Sequence, residues 1–213
     1  MDPYQDLSRS VAGRVVIITG AASGIGLALA HKFHEAGADL VLADRSAHLL
    51  ETATQSLNAH RNGSCHGIVV NLATEAGNTE LVNFANNKLV RIDLFFANAG
   101  IGSGTDVIES SEMEWDESFA INFHAHRWAA KAVLPQWLER GDGYFCSTAS
   151  AAGMLTQLGS APYSVTKHAA LAFAEWMAIS YGDRGIKVSC LCPQGVNTPM
   201  IGGPVSASQS SSI

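Results

Sequence analysis

The chain predicts a doubly wound α/β fold, a parallel sheet covered by helices on both faces. Short, continuously apolar runs alternate with longer amphipathic stretches from Val15 to Leu191, and a Gly-rich turn sits where the first run gives way to the first helical pattern. Runs without in-out alternation suit strands buried on both faces, the condition of a parallel sheet. At 213 residues, 47% of them hydrophobic, the chain fits one domain with a layered core.

The elements follow in order. Val15 to Thr19 reads as the first strand and Ile25 to Ala36 as the helix after it. Leu40 to Ala43 is the second strand, leading to a helix from about Ala47 to Asn58. Ile68 to Val70 is the third, with a polar helix from about Thr74 to Asn87 behind it. Ile92 to Ala97 is the fourth, then one long helical stretch from about Met113 to Leu138 leads to Tyr144 to Ser147. The helix carrying Tyr163 leads to a last strand, Val188 to Leu191. Residues 1–200 are expected to form the domain, and the Gly/Ser-rich 201–213 a mobile tail. In such a sheet the ligand site lies off the carboxyl ends of the strands.

Composition narrows the function classes. Thirteen basic against 19 acidic residues give a net charge of −6, with no basic run to track a phosphate backbone, so no nucleic-acid partner is expected. The first residues have neither a basic nor an apolar targeting pattern, and no apolar run approaches bilayer length, so a soluble cytoplasmic protein with no membrane contact is expected. Cys146, Cys190 and Cys192 lie in or beside apolar runs and read as buried reduced thiols. No third ligand accompanies His31 with His34, or His124 with His126, so surface or interface histidines are expected and no metal. Trp128, Trp137 and Trp176 fall on the two long helices, as core anchors or as subunit contacts.

Three motifs carry chemistry. In Thr19-Gly20-Ala21-Ala22-Ser23-Gly24-Ile25-Gly26, the glycines allow a tight turn and let a helix N-terminus approach a pyrophosphate. Asp44 ends the second strand, placed to hydrogen-bond a ribose 2′-hydroxyl and to repel a 2′-phosphate, which favours NAD over NADP; Arg45 beside it tempers that preference. Asp44 also reads as a simple helix cap, a role Ser46 would fill equally well. Tyr163 and Lys167 stand four apart on one helix face, where a fixed cation favours a phenolate and makes a phenol a working acid/base near neutral pH. The spacing alone is common on solvated helices; the glycine turn and the strand-end acid give it weight.

With Asn98-Ala99-Gly100, Asn122, Ser150 and the segment from Pro193 to Thr198 added, the ordered set from about Gly13 to Met200 resembles the short-chain dehydrogenase/reductase family. The resemblance implies a three-layer, Rossmann-like domain and an NAD(P)-dependent oxidoreductase acting on a secondary alcohol or its ketone. It makes Tyr163 the general acid/base, with Lys167 on the nicotinamide ribose and Ser150 on the same substrate oxygen. Asn122 would hold a water that connects Lys167 to solvent. Cofactor contacts are implied for Gly20, Ser23, Gly24, Ile25 and Gly26, for Asp44, Arg45, Asn71 and Leu72, and for Asn98, Ala99 and Gly100. Pro193, Gly195, Val196 and Thr198 complete the set, Thr198 at the phosphate or carboxamide end. A homodimer or homotetramer is implied as well.

Asn71 stands where the family usually has an aspartate, and Gln194 where it has a glycine after Pro193. Beyond Thr198 the resemblance implies a substrate-covering segment, a helix and a last strand that these residues do not supply. Either these residues are part of a longer protein or this form lacks much of its substrate pocket; the second case gives the alternative reading, a cofactor-binding scaffold with little catalysis.

Overall fold

The computed structural model describes residues 11–200. Its elements, in chain order, are β1 (Val15–Thr19), α1 (Gly24–Glu35), β2 (Asp39–Asp44), α2 (Ala47–His60), β3 (Cys65–Val69) and α3 (Glu75–Lys88), then β4 (Leu94–Ala97) and α4 (Glu112–Phe119). A π turn (Ala120–His124) joins α4 to α5 (Ala125–Arg140), and β5 (Gly143–Thr148), α6 (Ala161–Tyr181) and β6 (Ile186–Leu191) complete the set. The six strands form one parallel sheet in the order β3-β2-β1-β4-β5-β6. The order reverses between β1 and β4, the position at which a parallel sheet opens a crevice at its carboxyl end.

β1 is buried along its whole length because it lies between two apolar layers. Val16, Ile18, Leu40 and Leu42 pack with Ala30, Leu50 and Leu57 on one side. Ile17, Val41, Phe95 and Phe145 pack with Leu81, Val133, Trp137 and Met177 on the other. Alternate residues of each strand thus feed opposite layers, as the pleat requires.

The expected elements are present with shifted ends, and the long helix differs in kind. Instead of running unbroken from Met113 to Leu138, it is interrupted by the π turn, where the N–H of Ala125 donates to the carbonyl of Ala120. The widened turn adds a residue and brings Asn122 inward, fully buried. There its Oδ1 accepts from the N–H of Ile101 (2.8 Å) and its Nδ2 donates to the carbonyl of Ile101 (3.0 Å) and to Thr166 Oγ1 (3.2 Å).

The histidines also depart from expectation. His34 and His126 are buried, each paired with a serine: His34 Nε2 and Ser64 Oγ lie 2.7 Å apart, as do His126 Nδ1 and Ser147 Oγ. Burial, aided by the Arg61 cation, holds His34 below its ordinary value. Burial and then the Lys167 cation pull His126 down to about 3. Both are neutral core residues, whereas His31 and His124 are partly exposed.

Cys65 and Cys146 are buried thiols pushed up to about 12 by desolvation. Cys190 and Cys192 are only half-buried, because β6 is a sheet edge among the described residues. Trp137 is a core anchor whose Nε1 donates to the carbonyl of Ile92, whereas Trp176 is exposed. The expected tail, 201–213, lies outside the described residues.

Candidate active site

One cleft of about 860 Å³ opens at the carboxyl ends of the strands, along the switch point between β1 and β4. Its first wall is the glycine turn. Gly20 and Gly24 have φ of +62° and +52°, the left-handed region open to glycine. A Cβ on Gly26 would lie 2.1 Å from the Gly20 carbonyl oxygen, and one on Gly20 would lie 2.9 Å from Ala99 Cα. These close approaches let the chain turn directly into α1. Ser23 makes no side-chain cap bond there, and the first-turn N–H groups remain available for an anion.

Asp44 ties this wall to the next strand. Its Oδ2 accepts from the N–H of Ala22 and its Oδ1 from the N–H of Ser46, both at 3.0 Å. Ser46 is the N-cap of α2, so Asp44 is not the simple cap that its position also suggested. Arg45, Asn71 and Leu72 line the same end of the cleft.

The floor is Asn98-Ala99-Gly100, stapled to the end of β1. Thr19 Oγ1 accepts from the N–H groups of Asn98 (2.9 Å) and Ala99 (3.0 Å), and Asn98 Nδ2 donates to the Thr19 carbonyl (3.1 Å). A Cβ on Gly100 would meet Lys167 Nζ at 3.1 Å and Asn122 Oδ1 at 3.2 Å. The missing side chain is what allows the lysine and the amide to converge beneath the floor.

α6 supplies Tyr163 and Lys167 from consecutive turns of one face. Lys167 is 3% exposed, with Nζ donating to the Thr148 carbonyl at 3.0 Å and lying 5.6 Å from the centroid of the Tyr163 ring. Desolvation lowers it to about 8, so it is a cation at neutral pH and neutral a little above. Ser150, two residues beyond the end of β5, caps the short turn Ala151–Gly153, its Oγ accepting from the N–H of Ala152 at 3.1 Å. The short turn that follows packs so closely on α6 that a Cβ on Gly153 would lie 2.6 Å from the Lys167 carbonyl.

Ser150, Tyr163 and Lys167 thus line the same cleft as the glycine turn, with Pro193, Val196 and Thr198 closing one side. Thr198 reaches Gly24, whose Cβ would lie 3.1 Å from Thr198 Cγ2. Ser23 and Ile25 also line the cleft. Gly26, Asn122 and Gly195 do not: Gly26 is buried beneath the turn and Asn122 behind Gly100. With its amide committed to Ile101 and Thr166, the Asn122 side chain acts first as a clamp on the β4 loop.

The sequence reading missed Thr148, whose buried Oγ1 has no partner among the described residues, and Ile101, Asp116 and Glu117 in the lining. Thr148 was legible only as the end of β5, and the two acids only as surface of α4. Among the described residues no group of three or more His, Cys, Asp or Glu is placed to hold a metal ion. Nor is any helix there long and apolar enough to cross a membrane.

The comparisons agree with this architecture. The sequence model of the family described as short chain dehydrogenase matches residues 14–207. The chain is 36% identical over 193 residues to a 1-deoxy-11-beta-hydroxypentalenate dehydrogenase of Streptomyces exfoliatus, covering 89% of this chain and 70% of that protein. It is 33% identical over 199 residues to the 17-beta-hydroxysteroid dehydrogenase 13 of Rattus norvegicus, covering 92% and 66%. The chain therefore spans about two thirds of the length of these curated relatives. Among solved structures, a short chain dehydrogenase/reductase from Burkholderia phymatum in complex with NAD superposes with a TM-score of 0.86 at 30% identity, covering 89% of this chain and 68% of that one. The L-sorbose reductase of Gluconobacter frateurii, complexed with NADPH and L-sorbose, gives 0.85 at 30% identity, covering 89% and 72%. With its switch-point cleft, its glycine turn and a family match over most of its length, this chain belongs to the short-chain dehydrogenase/reductase family.

Proposed function

We propose that the protein is an NAD-preferring oxidoreductase that interconverts a secondary alcohol and its ketone in the cytoplasm. The observation that carries the reading is the meeting, in one cleft, of a glycine cradle for a pyrophosphate with Ser150, Tyr163 and Lys167. The cradle fits a dinucleotide: the glycines let the turn close on Ala99, Thr198 and its own Gly20 carbonyl, which leaves the α1 N-terminus facing the cleft where a phosphate would sit. When bound, the nicotinamide supplies the hydride acceptor or donor.

The residues of this chain supply the proton chemistry and the geometry. Tyr163 takes the alcohol proton in oxidation and returns it in reduction, while Ser150 hydrogen-bonds the same oxygen and fixes its position. Lys167, buried and still cationic at neutral pH, lies 5.6 Å from the centre of the Tyr163 ring, placed to hold the nicotinamide ribose beside it. Asn122 acts at one remove, holding the Ile101 loop and the Thr166 turn so that Lys167 stays under Gly100. The Asp44 carboxylate, anchored by two backbone N–H groups, disfavours a 2′-phosphate and so supports NAD over NADP. A homodimer or homotetramer belongs to the same reading, supported by the exposed Trp176 and Ile179 on α6; a monomer mass in light scattering would remove that part.

The test is Tyr163→Phe, assayed for NAD reduction over a panel of secondary alcohols. Turnover should fall by about 10³-fold or more while NADH binding stays within about twofold. Retained turnover would contradict the acid/base role. Binding of NADH without turnover of any alcohol by the unsubstituted protein would favour the scaffold alternative.

A further inference from the structure

Three loops follow the adjacent strands β4, β5 and β6 and form the mouth of the cleft beside Ser150 and Tyr163. They are joined to one another: the N–H of Ala161 donates to the Thr105 carbonyl (2.7 Å), Ser160 Oγ to the Ser103 carbonyl (3.0 Å), and the N–H of Ala151 to the Pro193 carbonyl (2.8 Å). These loops carry an unusual share of bare apolar side chains. Ile108 is 92% and Leu158 91% exposed, and Val107, Met154, Leu155 and Met200 are exposed as well. Single exposed apolar residues are ordinary, but six on three neighbouring, mutually bonded loops, with Met200 lining the cleft itself, mark a binding surface.

The charge of the same region is one-sided. Residues 98–117, 149–160 and 192–200 contain Asp106, Glu109, Glu112, Glu114, Asp116 and Glu117 and no Lys or Arg. Asp116 and Glu117 line the cleft itself. A carboxylate, phosphate or acyl-carrier substrate would meet like charge on these loops, whose segments hold no Lys or Arg, while Lys167 within the cleft is only 3% exposed; an anionic lipid surface would be repelled in the same way. A sugar would leave its hydroxyls against methyl and methylene groups.

Resting on the oxidoreductase reading above, we propose that the substrate is a neutral, bulky, apolar secondary alcohol or ketone, whose hydrocarbon body lies on this rim while its oxygen reaches Ser150 and Tyr163. The relatives do not decide this, since a hydroxysteroid dehydrogenase and a sorbose reductase are both among them; the rim carries it.

The test compares kcat/KM with NAD for cyclohexanol, a decalol and a tetracyclic sterol-type secondary alcohol, with sorbitol and 3-hydroxybutyrate as polar and anionic controls. The proposal expects kcat/KM to rise at least about tenfold from cyclohexanol to the tetracyclic alcohol. It expects I108S and L158S each to lower the tetracyclic-to-cyclohexanol ratio about tenfold, with no change in thermal midpoint. Turnover of cyclohexanol without a gain in size, or better turnover of sorbitol or 3-hydroxybutyrate, overturns the proposal and leaves the oxidoreductase reading standing. No turnover of any alcohol, with NADH still bound, removes both. A lowered thermal midpoint in either variant with an unchanged ratio would mean that the chain itself covers the rim, and binding to phosphatidylcholine vesicles without size selectivity would assign the rim to a lipid surface; each overturns the proposal.

Discussion

His126 makes acid stability a direct test of the core beneath the active site. Its ring lies between α5 and β5, with Nδ1 at 2.7 Å from Ser147 Oγ, while Nε2 faces the Ala99 carbonyl without a well-formed bond. Desolvation is the largest influence on it, the Lys167 cation the second, and the pull of the Ala99 carbonyl toward imidazolium the smallest. The ring therefore titrates near about 3 in the folded protein, against about 6.5 in an unfolded chain. A histidine lowered in this way contributes stability that is complete above pH 6.5 and is lost as the pH falls toward 3, because only the unfolded state takes up the proton in that window. At about 1.4 kcal/mol per pH unit, the loss between pH 6.5 and 4.5 is about 3 kcal/mol. Urea unfolding followed by tryptophan fluorescence, with the buried Trp137 as reporter, measures it. His126→Asn keeps a hydrogen-bonding atom near the Nδ1 position and removes the titration, so its stability should decline less over this window, by about 3 kcal/mol. Equal declines in the two proteins would refute the reasoning. Comparing them cancels the contributions of His34 and the carboxylates.

Two other expectations, with one control, follow from the cleft. Gly26→Ala places a methyl group against the Gly20 carbonyl and Asn98 Nδ2, and should weaken NADH binding by more than about tenfold in a fluorescence titration. Gly182→Ala, which meets nothing within 4 Å, is the silent control. Asp44→Ser removes the charge that repels a 2′-phosphate, and the ratio of NADPH to NADH affinity should rise by about tenfold or more; an unchanged ratio would move the preference to Arg45.

Much of the architecture was legible because it rests on local rules. Apolar runs of strand length, the left-handed glycines at Gly20 and Gly24, and the four-residue spacing of Tyr163 and Lys167 all act within a few residues of themselves. What stayed hidden depends on partners far along the chain. The π turn looks like uninterrupted helix from Met113 to Leu138, since its cause is the main chain of Ile101, 21 residues before Asn122. His126 reads as a surface residue until Ser147, on another element, pairs with its Nδ1. Asp116 and Glu117 join the cleft only because α4 folds back beside the floor. Thr148 contributes a carbonyl to Lys167, a contact no side-chain motif announces.

Lys167 also sets catalysis against durability. An ammonium sealed from water, with one carbonyl to bond and an affinity for its proton reduced from the usual 10.5 to about 8, is held at a thermodynamic loss of about 3 kcal/mol at neutral pH. The fold tolerates this cation and does not gain from it, so Lys167→Met should melt later than the parent protein while losing its turnover. A search for heat-resistant variants that ignored activity would remove this lysine early, and a lower midpoint for Lys167→Met in calorimetry would show that the ammonium is instead a support of the fold.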